Sequence, residues 1–174
     1  MARTVDLRSS RREMFRVAAT DVDGAPDLNS LGIESDRIRE GTEVWDRLRE
    51  GRPFPMKSDI DPLKIPAHLL PHIILIDVID QELPDFRWRL IGTHTTEIMR
   101  RDSTGREWRD LYGDANFAEV ALGPCQVLLT GLPCRTLVRA PDRDRNFLVI
   151  ESVDMPLSTD GSKIDMILAF NHAH

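Results

Sequence analysis

The feature that most constrains the fold is a period of two in the middle of the chain. From Asp85 to Gly92 the sequence reads DFRWRLIG, where Phe86, Trp88 and Leu90 alternate with Arg87, Arg89 and Ile91. That period sends the aromatic residues to one face of a sheet and the arginines to the other. A second strand-like run, PHIILIDVI (Pro71 to Ile79), lies just before it, and polar, proline-bearing residues separate the two. The pair reads as a hairpin. A short helical segment, the turn Ser103-Thr104-Gly105 and a second short helix follow. A hairpin feeding short helices on one side of a sheet can enclose a pocket.

The flanking segments complete an order of helix, two strands, helices and three strands. Ser35 to Glu50 is the clearest helix, with Gly51 placed to stop it. Its apolar stripe is narrow: Ile38, Gly41, Trp45 and Leu48, with charge on the other face. A stripe this narrow suits a helix-pairing seam, so these four residues are candidate homodimer contacts; packing on the chain's own sheet is the alternative. Asn116 to Thr130 reads as a longer helix interrupted at Gly123-Pro124. CRTLVRA, NFLVIESVDMPLS and SKIDMILAFN close the chain as strands. The charged loop PDRDR joins the first two, and Thr159-Asp160-Gly161 is a hairpin turn between the last two. In the last strand Ile164, Met166, Leu168 and Phe170 share a face. Residues 1–34 read as a tail and linker, with a Ser10/Glu13 capping box for a short helix carrying Met14, Phe15 and Val17. Residues 35–174 form the domain. The fold class is α+β, a five-stranded antiparallel sheet with short helices on one face and an N-terminal helix.

Several of these segments together resemble the PAS-domain superfamily, and within it a group of stand-alone bacterial PAS-like proteins. The resemblance rests on SDIDP (Ser58 to Pro62), Leu69-Leu70-Pro71, RWRLIGT (Arg87 to Thr93), Thr104-Gly105-Arg106 and MPLSTDGSKIDMIL (Met155 to Leu168), in this order. It implies the strand order second, first, fifth, fourth, third, with DFRWRLIG and CRTLVRA at the edges. Arg87, Arg89, Arg135 and Arg139 would then discourage unwanted pairing there. It also implies a sensory or regulatory role in signal transduction, and an N-terminal helix that packs on the sheet or makes a dimer contact. It names no ligand.

Charge and composition narrow the partners. A net charge of −6 over 174 residues argues against a general nucleic-acid binder. No apolar run approaches the ~20 residues that cross a bilayer, so no membrane insertion is expected. No signal peptide is visible at the N-terminus. Two cysteines, Cys125 and Cys134, make no disulfide framework, and a reduced, cytoplasmic protein is the expectation.

The candidate chemistry is that of binding rather than catalysis. His68, His72, His94, His172 and His174 fall in no metal-ligand spacing, and the helix from Asn116 to Thr130 offers no histidine to a haem. Neither metal nor haem is therefore expected. Light-sensing flavin PAS domains carry an Asn-Cys-Arg-Phe motif just after the region where TTEIMRR (Thr95 to Arg101) lies; this region has no cysteine, so flavin is disfavoured as well. Nucleophile motifs and phosphate loops are absent. Asp59 and Asp61 either clamp the SDIDP segment to Arg89 or serve as an ordinary solvated acid and helix cap. Trp88, Met99, Trp108, Leu128, Met166 and Phe170 are candidates to line a pocket for a small apolar ligand, with His94 or Thr96 as polar anchor. The same residues would equally make a filled core. The expected function is a non-catalytic regulatory module acting through a small molecule or a signalling protein partner. A ligand-free dimerisation domain is the alternative, and a small enzyme is a third.

Overall fold

The computed structural model describes residues 15–139 and 148–173. The PDRDR loop and the capping box at Ser10 and Glu13 lie outside the described residues. Three short strands come first, β1 (Phe15–Val17), β2 (Ala19–Thr20) and β3 (Pro26–Asp27), and then helix α1 (Asp36–Arg49). The hairpin is β4 (Ile73–Asp80) and β5 (Asp85–Ile91). Helices α2 (Thr93–Met99), α3 (Trp108–Val120) and α4 (Leu122–Thr130) follow, and β6 (Cys134–Arg139), β7 (Val149–Leu157) and β8 (Met166–Ala173) close the chain.

The main sheet has the order β1-β6-β7-β8-β4-β5, antiparallel throughout. Its last five strands in that list follow the expected order, with β5 at one edge. The other edge differs from expectation. CRTLVRA is covered over half its length by β1, where Phe15 pairs with Thr136 and Val17 with Cys134. Phe15 and Val17 are thus strand, not helix. Both pack their side chains against the core under α4, a gain that a solvent-facing helix would not have.

Period two holds along the sheet and sorts the side chains into two cores. Ile73, Leu75, Val153, Met155, Leu157, Met166, Leu168 and Phe170 face α1 and the 3₁₀ turns around it. Ile74, Ile76, Phe86, Trp88, Cys134, Ile167 and Ala169 face α3 and α4. Helices therefore cover both faces. The β4–β5 register slips at two places, between Val78 and Asp80 near the turn and between Leu75 and Ile76. Ile76 pairs with Trp88 but Leu75 pairs with Leu90, which leaves Arg89 as an extra residue. This bulge turns Leu90 to the outside, 41% exposed, and returns Ile91 to the inner face.

Helix α1 is capped by Ser35, whose Oγ accepts from the Ile38 N–H, and it ends in left-handed residues at Glu50 and Gly51. The four-residue seam is occupied by the chain's own sheet, which corrects the expected dimer contact. Ile38 and Trp45 are fully buried, Gly41 is buried against Phe170, and Leu48 packs on the same cluster. The Trp45 Nε1 donates to the Pro156 carbonyl at 2.9 Å. Thr42 and Val44 are buried too, so the covered face is wider than the stripe suggested. Glu151 of β7 anchors the start of this helix. Its carboxylate accepts from the Glu34 and Ser35 N–H groups at 2.9 and 2.8 Å and pairs with Arg135 Nε at 2.5 Å.

The SDIDP segment is held without Arg89. Asp59 Oδ2 accepts from Arg52 and from the Met56 N–H, both at 2.7 Å, which closes the segment on itself. Asp61 caps the next turn through the Leu63 N–H. Arg89 instead pairs with Asp77 at 3.4 Å.

Candidate functional site

Between the sheet and α2–α4 lies a cavity of about 930 Å³. Its floor comes from alternate positions of five strands: Ile74 and Ile76, Trp88, Thr136 and Val138, Ser152 and Asp154, and Ala169 and Asn171. Its roof comes from Thr95, Ile98 and Met99 of α2 and from α3 and α4. The helices stand off because their chain is broken twice. Gly113 has φ 69 and ψ 162, outside helical geometry, and α3 ends at Ala121 before α4 restarts. Arg101, Asn116 and Glu119 line the cavity yet are exposed, which places them at its mouth.

Aromatic residues dominate one end. The Trp88 and Trp108 ring centroids are 4.4 Å apart, and Tyr112 meets Trp108 edge-on at 6.0 Å. The polar groups sit elsewhere. Thr95 Oγ1 donates to Asn171 Oδ1 at 2.8 Å. Asp154 is 5% exposed and lines the cavity, and among the described residues no donor hydrogen-bonds its carboxyl. Burial pushes that carboxyl up to about 7. Its neighbour across the strand pair is Cys134, whose thiol burial pushes up to about 12. That thiol is an inert apolar filler.

The sequence candidates divide accordingly. Trp88, Met99 and Trp108 line the cavity. Leu128 packs in the core beneath it without reaching the lining, and Thr96 turns its hydroxyl back to the Thr93 carbonyl. Met166 and Phe170 lie on the α1 side of the sheet, which corrects their assignment to the pocket. Parity decides this: Ile167, Ala169 and Asn171 are the β8 residues facing the helices. Asp154, Thr95 and Asn171 were not among the candidates. The signal for Asp154 was present in ESVDMPL, where alternation sets Ser152 and Asp154 opposite Val153, Met155 and Leu157.

His94 belongs to a second cluster beside the cavity wall. His72, His94 and His172 each offer a nitrogen, all within 4.8 Å of one another, and could hold a metal ion. Sequence spacing could not show this, because the three come from distant segments. Two of the rings already accept hydrogen bonds. Arg37 donates to His72 Nε2 at 2.9 Å, and the Ala173 N–H donates to His94 Nε2 at 3.2 Å. His72 Nδ1 donates to the Asn171 carbonyl at 2.8 Å, which fixes that tautomer. A cation would have to displace Arg37. Burial lowers His94 to about 4, with His72, His172 and Arg37 adding charge repulsion. Burial likewise lowers His72.

The sequence profile of the PAS domain family matches residues 34–170. The chain belongs to the PAS domain family. No curated protein matches it. Among solved structures it is similar to an RNA-binding Light-Oxygen-Voltage receptor, at 16% identity and a TM-score of 0.44, over 65% of this chain and 35% of that one. The chain thus spans about a third of that receptor's length. Among the described residues, no helix is long and apolar enough to cross a membrane.

Proposed function

We propose that this chain is a regulatory sensor module, which binds a small molecule in the cavity under α2–α4 and signals by contact with a protein partner. The cavity itself carries the reading. A cleft of about 930 Å³, open to solvent at its mouth, separates the sheet from the broken helices. Its volume lies in the range of ligand sites, roughly 300–1,000 Å³. The lining mixes apolar side chains such as Ile74, Ile76, Ile98 and Val138 with polar ones such as Thr95, Ser152, Asp154 and Asn171 that could orient a ligand. It holds no nucleophile with a base in hydrogen-bond reach among the described residues, so binding without catalysis is the reading.

The test compares native and denaturing masses of freshly purified protein. A mass difference that vanishes on denaturation, and is missing from a Val120→Trp variant that fills the cavity, supports it. Identical native and denaturing masses in the wild type count against it.

One observation favours an interaction surface as well. Ile60, Pro62, Ile65, Leu70 and Leu90 line an apolar groove of about 330 Å³ beside the edge strand β5. Leu63, in the segment that borders it, is 94% exposed. Exposed apolar surface of this kind marks contact sites. With the α1 seam covered, this groove is the proposed contact for a second copy of the chain.

A further inference from the structure

Asp154 is the buried acid that the fold leaves unanswered. A carboxylate taken out of water is costly unless a cation or hydrogen-bond donors meet it. Glu151, three residues earlier on the same strand, shows the usual solution, with Arg135 and two N–H groups around it. Asp154 has none of these. Its protein side is closed: a β-carbon at Gly123 would stand 2.0 Å from Asp154 Oδ2, and the Thr136 methyl lies 3.2 Å from the same point. The carboxyl is therefore packed against α4 and β6 and opens only toward the cavity.

The charged side chains of the lining favour a positive occupant, and the buried Nε1 donors of Trp88 and Trp108, which have no partner among the described residues, call for an acceptor as well. The lining carries two acids, Asp154 and Glu119, against one guanidinium, Arg101. Arg101 and Glu119 sit at the mouth, and among the described residues neither pairs with Asp154. We propose that the cavity takes a small cationic nitrogen compound, an amine or amidine, whose N–H donors pair with the Asp154 carboxylate. This rests on the reading of the cavity as a ligand site and assigns the charge and donor chemistry of that ligand.

Three probes of one shape separate the cases: tryptamine, neutral indole and anionic indole-3-acetate, each titrated calorimetrically at pH 8. Tryptamine should bind roughly ten-fold or more tightly than indole, worth about 1.4 kcal/mol, and indole-3-acetate more weakly than indole. Asp154→Asn should abolish the amine preference and leave indole binding intact. In the wild type the preference should shrink roughly ten-fold between pH 8 and pH 6, as a carboxyl titrating near 7 takes up its proton. Cys134 is raised to about 12 and Tyr112 is raised by burial, so neither thiol nor phenol changes charge over that range. This pH series decides the matter if Asp154→Asn does not fold. Equal binding of tryptamine and indole, or an unchanged preference in Asp154→Asn, overturns the proposal and leaves the cavity reading standing. Binding of none of the three overturns both.

Discussion

A β-carbon on Gly41 would stand 2.5 Å from the ring of Phe170. That contact fixes how closely α1 lies on the sheet, because Phe170 is fully buried and cannot swing aside. Gly41→Ala gains up to ~1 kcal/mol of helix propensity. It also forces the helix off the sheet, at ~1–3 kcal/mol of overpacking strain. The net prediction is a lower melting temperature than wild type. A higher one would mean that the helix does not sit against Phe170.

Glu151 ties the residues that open α1 to the sheet through two hydrogen bonds, from the Glu34 and Ser35 N–H groups, and accepts a third from Arg135 of β6. Burial works to raise its carboxyl, but the Glu34 N–H, Arg135 and the Ser35 N–H together hold it below its ordinary 4.5. A lowered folded value means stability that is present above pH 4.5 and lost as pH falls below it. Glu151→Gln removes the buried counter-charge of Arg135, leaves only the exposed Glu34 carboxylate at 3.1 Å to meet the guanidinium, and should cost up to about 3 kcal/mol. Denaturant unfolding at pH 7 checks the size. An unchanged midpoint would remove Glu151 from the account of how α1 is held.

The histidine cluster should give stability a second acid-sensitive arm. His94 titrates near 4 in the fold against 6.5 ordinarily, so the unfolded chain binds more protons below 6.5. The His94 contribution should be lost as pH drops from 6.5 toward 4, against an opposing gain from Asp154, whose raised carboxyl takes up its proton over the same window. Melting curves of wild type and His94→Gln over that window isolate the His94 part. The stability of the wild type relative to the variant should decline as pH falls from 6.5 to 4, and a constant difference would place the titration elsewhere.

Leu90 should matter for association rather than folding. It is 41% exposed on edge strand β5 and borders the apolar groove. Leu90→Arg should leave the melting temperature within a degree or two, since substitutions at exposed positions stay within about 0.5 kcal/mol. Sedimentation at increasing concentration should show self-association in the wild type and less of it in the variant. A wild type that stays monomeric, or a variant that associates as well, removes the groove from the contact surface.

The strands could be read from the sequence because period two is a local property, whereas their order in the sheet was implied by the PAS resemblance, and the edge strand β1 was in neither. Each run of ILID, RWRL or MILAF announces a strand, and the turns between them are marked by Gly, Asp and Pro. What could not be read was which face each strand turned to which helix. Met166 and Phe170 alternate correctly with Ile167 and Ala169, yet nothing local says that α1 takes the former pair and the cavity the latter. The bulge at Arg89 was hidden for a similar reason, since it exists only relative to β4. The seam of α1 was legible as an apolar stripe. Its partner was not, because a helix alone cannot show whether Phe170 or a second copy covers it. Asp154 was visible as an acid in an apolar run, but its lack of a partner is a property of the assembled sheet.

The claim that the cavity is a ligand site is tested most directly by isoleucine-methyl NMR. Ile74, Ile76 and Ile98 line the cavity, whereas Ile38, Ile65 and Ile73 sit in the core under α1. Titration with tryptamine should move the methyl signals of the first three and leave the second three in place. Shifts confined to Ile38, Ile65 and Ile73, or no shifts at millimolar probe, would contradict the account.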